Sequence, residues 1–215
     1  MNSKLSIICL TLIITPLFFS CRGTAKKENT TEASASAVTS HTGNEKYIPI
    51  DTKESVVEWK GSNSFGTHEG YVSISKGELI IENGQLRGGS AVVNMNTIVD
   101  EQHSGDNGLI QHLKNPDFFD VEKYPGASIA ITRVAEIKTG EIEVTANLTI
   151  KGIANTVTFP AKIEIKDEIV KADGSFIIDR TNWGIRYKSG KFFDLLADKT
   201  ISDYIEFKVK IVAKK

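Results

Sequence analysis

The chain has 215 residues, a quarter of them charged, with 26 Lys+Arg against 27 Asp+Glu and a formal net charge of −1. That balance, with no basic patch along the chain, argues against a nucleic-acid partner. The two cysteines, Cys9 and Cys21, both precede the folded part, which therefore has neither a thiol nor a disulfide even though export would permit one.

Residues 1–20 read as an export signal. Lys4 supplies the positive start, and Ile7 to Phe19 is mostly apolar, interrupted by Thr11, Thr15 and Pro16. That run is short for a membrane-spanning helix, which needs about 20 apolar residues. Leu17 and Ser20 ahead of Cys21 resemble a bacterial lipobox, in which the Cys becomes a lipidated N-terminus; Phe18 and Phe19 depart from its usual pattern. The alternative is an ordinary secretory signal with an incidental Cys, and the following tract favours lipidation. Residues 21–44 form the lipidated start and a linker. Ser, Thr, Ala, Lys and Glu dominate it, no aromatic occurs, and Val38 is the one large aliphatic. Such a composition buries too little apolar surface to offset ordering entropy. A diacylated or triacylated Cys meets the requirement of more than one chain for stable anchoring. Arg22, where Asp would retain the protein at the inner membrane, places the expected location in the cell envelope, on the periplasm-facing side of the outer membrane.

Residues 45–215 are long enough for one domain. Its dominant period is two. Ile142, Val144, Ala146, Leu148 and Ile150 share one face of a run whose other face is polar. Val157, Phe159, Ala161, Ile163 and Ile165 repeat the pattern, as do Ile205, Phe207, Val209 and Ile211. Weaker strands are expected at Val56–Lys60, Tyr71–Ser75, Glu78–Glu82, Gly89–Asn96, Ala127–Val134 and Asp173–Asp179. Lys76-Gly77, Asn83-Gly84, Thr139-Gly140, Lys151-Gly152 and Asp173-Gly174 read as the turns between them. Short alternating strands with close turns predict an all-β fold, a sandwich or a closed antiparallel barrel. One segment differs: Leu109, Ile110 and Leu113 suit a short helix within Gly105 to Asp120, stopped by Asn115-Pro116. A second irregular stretch, Trp183 to Asp198, reads as a loop over an opening.

Several blocks are characteristic. Tyr47-Ile48-Pro49-Ile50-Asp51 opens the domain, followed by Gly66-Thr67-His68-Glu69-Gly70. Next stand His112-Leu113-Lys114-Asn115-Pro116-Asp117-Phe118-Phe119-Asp120 running on to Tyr124-Pro125, then Asn147-Leu148-Thr149-Ile150-Lys151-Gly152, then Asp179-Arg180-Thr181-Asn182-Trp183-Gly184. In order and spacing they resemble the YceI-like family, over about residues 46–213. The resemblance implies an eight-stranded antiparallel lipocalin-like barrel with a short helix near one opening, and a polyisoprenoid chain held inside, as in some members. Trp183 stands where the family carries Phe, a bulkier ring near the lid.

Catalytic motifs are absent: there is no G-x-S-x-G, H-E-x-x-H or P-loop. His41 falls in the linker; His68, His103 and His112 read as loop and capping residues, so no metal site and no cofactor is expected. Asp117 and Asp120 read as turn residues, and Arg180 and Arg186 as surface ion-pair partners. What the composition offers is a lumen. The inward-facing candidates for ligand contact are Trp59, Val72, Ile74, Met95, Ile129, Ile131, Val144, Leu148, Phe159, Ile163 and Phe207, joined by Val57, Val93 and Val209. Ala127, Ala146 and Ala161 among these larger residues leave room for a thin chain. The expected function is a membrane-tethered protein that binds an isoprenoid or other apolar-chain lipid. Its alternatives are an envelope enzyme using His68, His112 or Asp117 at the barrel mouth, and a solid structural barrel.

Overall fold

Alternating apolar and polar residues make strands because successive side chains of an extended backbone fall on opposite faces. The computed structural model describes residues 43–102, 108–194 and 199–214. The export signal at residues 1–20, Cys21, the linker as far as residue 42, and His103 lie outside the described residues. Among the described residues ten strands form: β1 (Lys46–Pro49), β2 (Val56–Asn63), β3 (Gly66–Glu82), β4 (Gln85–Asn94), β5 (Val99–Asp100), β6 (Gly126–Lys138), β7 (Glu141–Ile150), β8 (Ile153–Lys166), β9 (Ile169–Asp179) and β10 (Tyr204–Ala213). The helix α1 (Gly108–Lys114) falls within the expected segment and ends at Asn115-Pro116, as expected.

The strands run β3-β2-β10-β9-β8-β7-β6-β4, and β4 pairs back onto β3. Eight antiparallel strands thus close into a barrel. The very long β3 makes closure possible. Its first half pairs with β2 and its last residues with β1, which also bridges β10 through Ile50 and Ala213. β1 and β2 therefore share one position around the ring. The short β5 adds to β3 at Gly70 and Tyr71.

Two expected turns are not turns. Lys76-Gly77 lies inside β3, so Tyr71–Ser75 and Glu78–Glu82 are one strand with an irregular register beside Lys76. Gly77 is there for close approach: a Cβ on it would fall 2.7 Å from both the Ser90 carbonyl oxygen and the Ile50 side chain. Asp173-Gly174 lies inside β9, where a Cβ on Gly174 would fall 3.1 Å from the Phe159 ring. The true β8–β9 reversal is Asp167-Glu168, both at positive φ without a glycine (50° and 65°). Asn83-Gly84 and Lys151-Gly152 are two-residue hairpin turns with positive φ at both positions, as expected.

One arc of the wall is not laddered. β8 pairs with β9 only from Ala161–Gly174 to Lys166–Ile169, whereas β8 stays paired with β7 from Ile153 and β9 with β10 out to Asp179. Pro160, which lacks an N–H, stands beside the last pair. Beyond it the two strands part, toward the end of the barrel that α1 covers. A 3₁₀ turn, Arg180–Trp183, packs against the gap. Trp183 is buried there and donates its Nε1–H to the Leu148 carbonyl (3.1 Å), while the Asn155 amide donates to the Asn182 carbonyl (3.1 Å). Within the unladdered stretch the Phe159 and Phe176 rings stack at 4.7 Å between centroids.

Asp179 caps this turn, accepting from the Thr181 N–H (3.0 Å) and hydroxyl (2.6 Å) and from Lys191. Burial alone would raise its pKa; the hydrogen bonds from Lys191 and Thr181 outweigh burial and hold it below the ordinary carboxylate value. A carboxylate depressed in the fold stabilises at pH values above its ordinary value of 3.8, and the contribution is lost as pH falls through the lower folded value. Asp179→Ala is expected to cost about 1 kcal/mol near neutrality. The gap between parent and variant urea midpoints should narrow as pH falls below 3.8; a gap independent of pH would show that the charge of Asp179 is not what holds the turn.

Candidate ligand-binding site

Inward-facing residues of the closed wall meet along the barrel axis and leave two spaces. The first is a cavity of about 150 Å³ within the barrel wall. Ile50, Ile74, Leu79, Val93, Ile129, Val144, Leu148, Phe159, Phe176, Val209 and others line it; among the described residues Ser90 and Ser128 are the only polar ones in its wall, and no charged side chain reaches it. Apolar cavities of about this size stay dry and accept hydrocarbon. Val57, Val93, Ile129 and Phe176 line it yet are only half-buried, so the barrel is not solid at this level.

The second space, about 90 Å³, lies at the barrel mouth beneath α1. The segment after α1 closes it. Phe118 and Phe119 turn inward and are buried, and Val121 beside them is buried too. The Phe119 N–H donates to the Leu113 carbonyl (3.1 Å) and the Asp120 N–H to the Asn115 carbonyl (2.9 Å). Lys151, in the β7–β8 turn, donates to the Pro116 and Phe118 carbonyls (2.6 and 3.0 Å) and pins this segment to the rim. Trp59, Ser62, Asn63, His68, His112 and Arg180 contribute to the chamber wall.

Arg180 is the main correction to the sequence reading. It is not a surface residue: it is 0% exposed. Its guanidinium donates to three backbone carbonyls, those of Ser202 (2.9 Å), Ile185 (2.8 Å) and Ile201 (3.1 Å), and lies 3.3 Å from Asp203. The Phe118 ring packs against it at 5.5 Å. A guanidinium forks toward several acceptors at once and stays charged when buried. It holds the irregular segment between β9 and β10 onto the barrel end.

The inward candidates divide between the two spaces. Ile74, Ile129, Ile131, Val144, Leu148 and Phe159 line the apolar cavity, with Val57, Val93, Val209, Ala127 and Ala161. Trp59 lines the mouth chamber. Val72 and Met95 are buried in the core around that chamber, Phe207 packs against the same core, and Ile163 packs on the lower core; none of these four lines either space. Ile50, Leu79, Leu86, Ile142, Ile150, Phe176 and Ile211 line the cavity and are missing from the candidate set. Ile142, Ile150 and Ile211 carried a signal, since each stands two residues from a chosen one on the same face.

His68 and His112 both line the mouth chamber, and His68 lies within β3 and not in a loop. Their carboxylate neighbours are distant for hydrogen bonds: His68 Nδ1 is 3.7 Å from Asp100, and His112 Nε2 is 3.9 Å from Asp117. Asp120 serves a turn, its carbonyl accepting from the Lys123 and Tyr124 N–H groups. Among the described residues no three His, Cys, Asp or Glu side chains converge to hold a metal ion.

The family model described as the YceI-like domain matches residues 49–213, well over half of the chain. The chain is a member of the YceI-like family. A UPF0312 protein from Shewanella denitrificans is 27% identical to this YceI-like protein over 123 residues, 52% of this chain and 63% of that one. The match thus spans less than two thirds of that relative's length. Solved structures share the fold. BcnA from Burkholderia cenocepacia superposes with a TM-score of 0.64 at 22% identity, covering 77% of this chain and 99% of that one. A domain from Saccharophagus degradans, described as polyisoprenoid-binding, superposes at 0.57 with 11% identity, covering 78% and 97%. The matched span of the YceI-like domain contains every residue that lines the apolar cavity and the mouth chamber, from Ile50 to Ile211.

Proposed function

We propose that this YceI-like protein binds a single long apolar chain, of isoprenoid or similar kind, inside its barrel, and presents it at a membrane to which lipidated Cys21 tethers it. The observation that carries the reading is the apolar cavity within the barrel wall, to which the described residues bring no charged side chain. Each CH₂ moved there from water gains about 0.8 kcal/mol, so affinity grows with chain length and needs few polar contacts. The fold shared with a polyisoprenoid-binding domain supports the same class of ligand. The tether rests on the sequence of residues 1–44: an export signal, a Cys at its end and a linker too polar to fold.

Native mass spectrometry of the purified protein, with solvent extraction of its lipids, tests the binding. An apolar-chain lipid bound at one per protein is the expected result; a protein that co-purifies with none, and is not stabilised by added prenol against heat, lacks the function. The tether has its own test. Cys21→Ser should move the protein from the membrane fraction to the soluble fraction of the envelope with its fold intact, and an unchanged fractionation would rule out lipidation.

A further inference from the structure

The outer rim of the mouth carries rings that neither space inside the barrel uses. Among the described residues three phenylalanines are exposed, Phe65 (82%), Phe192 (45%) and Phe193 (48%), and all three lie at this end. Phe65 is at the tip of the β2–β3 hairpin, where the Asn63 side chain accepts from the Phe65 and Gly66 N–H groups (2.8 and 3.1 Å). Turns favour Gly, Asn, Asp and Ser, so the ring contributes nothing to the turn itself. The tip is bonded to the segment between β9 and β10: the Ser202 N–H donates to the Ser62 carbonyl (2.9 Å), and the Ser64 hydroxyl to the Thr200 carbonyl (3.3 Å). The Ile201 N–H donates to the Lys188 carbonyl (2.9 Å), and the Phe192 and Phe193 N–H groups both donate to the Ser189 carbonyl (3.1 Å each). Ser62, Asn63 and Ile201 belong to the chamber wall, so the three rings stand on chain that frames the mouth.

Cations surround these rings. The sequence from Gly184 to Thr200 carries Arg186, Lys188, Lys191 and Lys199 against Asp194 and Asp198. The Arg186 guanidinium lies 4.6 Å over the Phe192 ring. Lys191 is occupied, paired with Asp179 and 3.8 Å from Asp203. No carboxylate among the described residues pairs with Arg186, Lys188 or Lys199. Exposed rings flanked by unpaired cations suit the interface of a bilayer with anionic headgroups. The rings enter the boundary between headgroups and acyl chains, while the long basic side chains keep their charge at the phosphates. A second copy of this chain suits the rim poorly, because a two-fold contact sets the same patch against itself and brings these cations together.

We propose that the rim of the mouth is a membrane-docking surface: Phe65, Phe192 and Phe193 insert into a bilayer bearing anionic headgroups, and Arg186, Lys188 and Lys199 meet those headgroups. Docked in this way, the barrel opens onto the lipids. The proposal goes beyond the lipid-binding reading above, and docking is measured independently of what the cavity holds. The linker joins the barrel at its other end, where Lys46 pairs with Ile81 and lies 3.0 Å from Glu168 in the β8–β9 turn. Residues 21–44 span at most about 80 Å, well beyond the roughly 33 Å of a ten-residue strand. A domain tethered through Cys21 can therefore turn its mouth to the membrane that anchors it.

The test uses the full mature chain in its soluble Cys21→Ser form and vesicle flotation. One set of vesicles holds equal parts phosphatidylcholine and phosphatidylglycerol, the other phosphatidylcholine alone. The protein is expected to float with the mixed vesicles, and less so at high salt. Phe192→Ser combined with Phe193→Ser should weaken that binding about tenfold or more, and Phe65→Ser should weaken it severalfold. All three side chains are exposed, so the urea midpoint of each variant should match the parent's. Arg186→Gln combined with Lys199→Gln should weaken binding to the mixed vesicles about twentyfold. Ile137→Ser is the control: Ile137 is 58% exposed near the end of β6 away from the mouth, and its loss should change nothing. The proposal is overturned if the parent does not float with the mixed vesicles, if binding survives the loss of both Phe192 and Phe193, or if Ile137→Ser weakens it as much. A dimer in sedimentation that the phenylalanine variants abolish, without vesicle binding, would assign the rim to a second copy and overturn it too. Each of these results leaves the cavity reading to be decided by lipid extraction.

Discussion

Arg180→Ala should lower the unfolding free energy by about 3–5 kcal/mol, the cost of breaking a buried charge pair by removing one partner. The reasoning follows from what Arg180 touches. Its side chain is fully enclosed, and removal strands the Ser202, Ile185 and Ile201 carbonyls without their donor and leaves Asp203 with the more distant Lys191 ammonium, 3.8 Å away, in place of a buried guanidinium. Those acceptors belong to the segment between β9 and β10, so the loss also frees that segment from the barrel end. Arg180→Lys should recover little, because a single ammonium on a flexible stem does not reproduce the fork. Urea unfolding followed by tryptophan emission measures both, since Trp183 lies in the same turn. A parent-like midpoint for Arg180→Ala would mean that water replaces the guanidinium at no cost and that the buried network is not what holds the mouth.

Filling the cavity should separate binding from folding. Ala127 is buried on β6 and lines the apolar space. Ala127→Phe places a ring where the proposed chain lies. Overpacking a filled core costs about 1–3 kcal/mol, but here the added atoms enter a void of about 150 Å³. The expected outcome is a urea midpoint close to the parent's and bound lipid, counted by extraction, reduced by about tenfold or more, because the chain loses the burial of several CH₂ groups. Ile177→Ala is the control: Ile177 is 64% exposed on the outside of β9, so its loss should leave lipid occupancy unchanged. Full occupancy in Ala127→Phe would place the ligand elsewhere.

The strands with the cleanest alternation were legible from sequence because burial on one face leaves a period of two. β7 is the plainest case, with Ile142, Val144, Ala146, Leu148 and Ile150 all buried. What the sequence concealed depended on partners distant along the chain. Gly77 looks like a turn until Ser90 and Ile50 are seen crowding it, and Asp167-Glu168 turns without the glycine that would advertise it. Arg180 reads as a surface cation because the groups that satisfy it are main-chain carbonyls, which no pattern of side chains encodes. The lumen residues were legible as a set. Their division between cavity and mouth was not, since alternation gives the face of a residue and not its height along the axis. His68 and His112 were visible singly; their meeting in one chamber follows from α1 packing beside β5 at the barrel mouth.

The unladdered arc between β8 and β9 bears on how such a barrel meets guests of unequal bulk. A fully hydrogen-bonded barrel has its girth set by strand number and stagger, so widening it means breaking a ladder. Here one stretch of the circumference is held by side-chain packing around Trp183 and two stacked rings. That arc works as an expansion joint: the wall can spread there with every ladder around the rest of the ring intact. Amide exchange should register it, with the β8 and β9 amides that face each other above Pro160 the first in the barrel wall to take up deuterium and the first to slow when the lumen is filled.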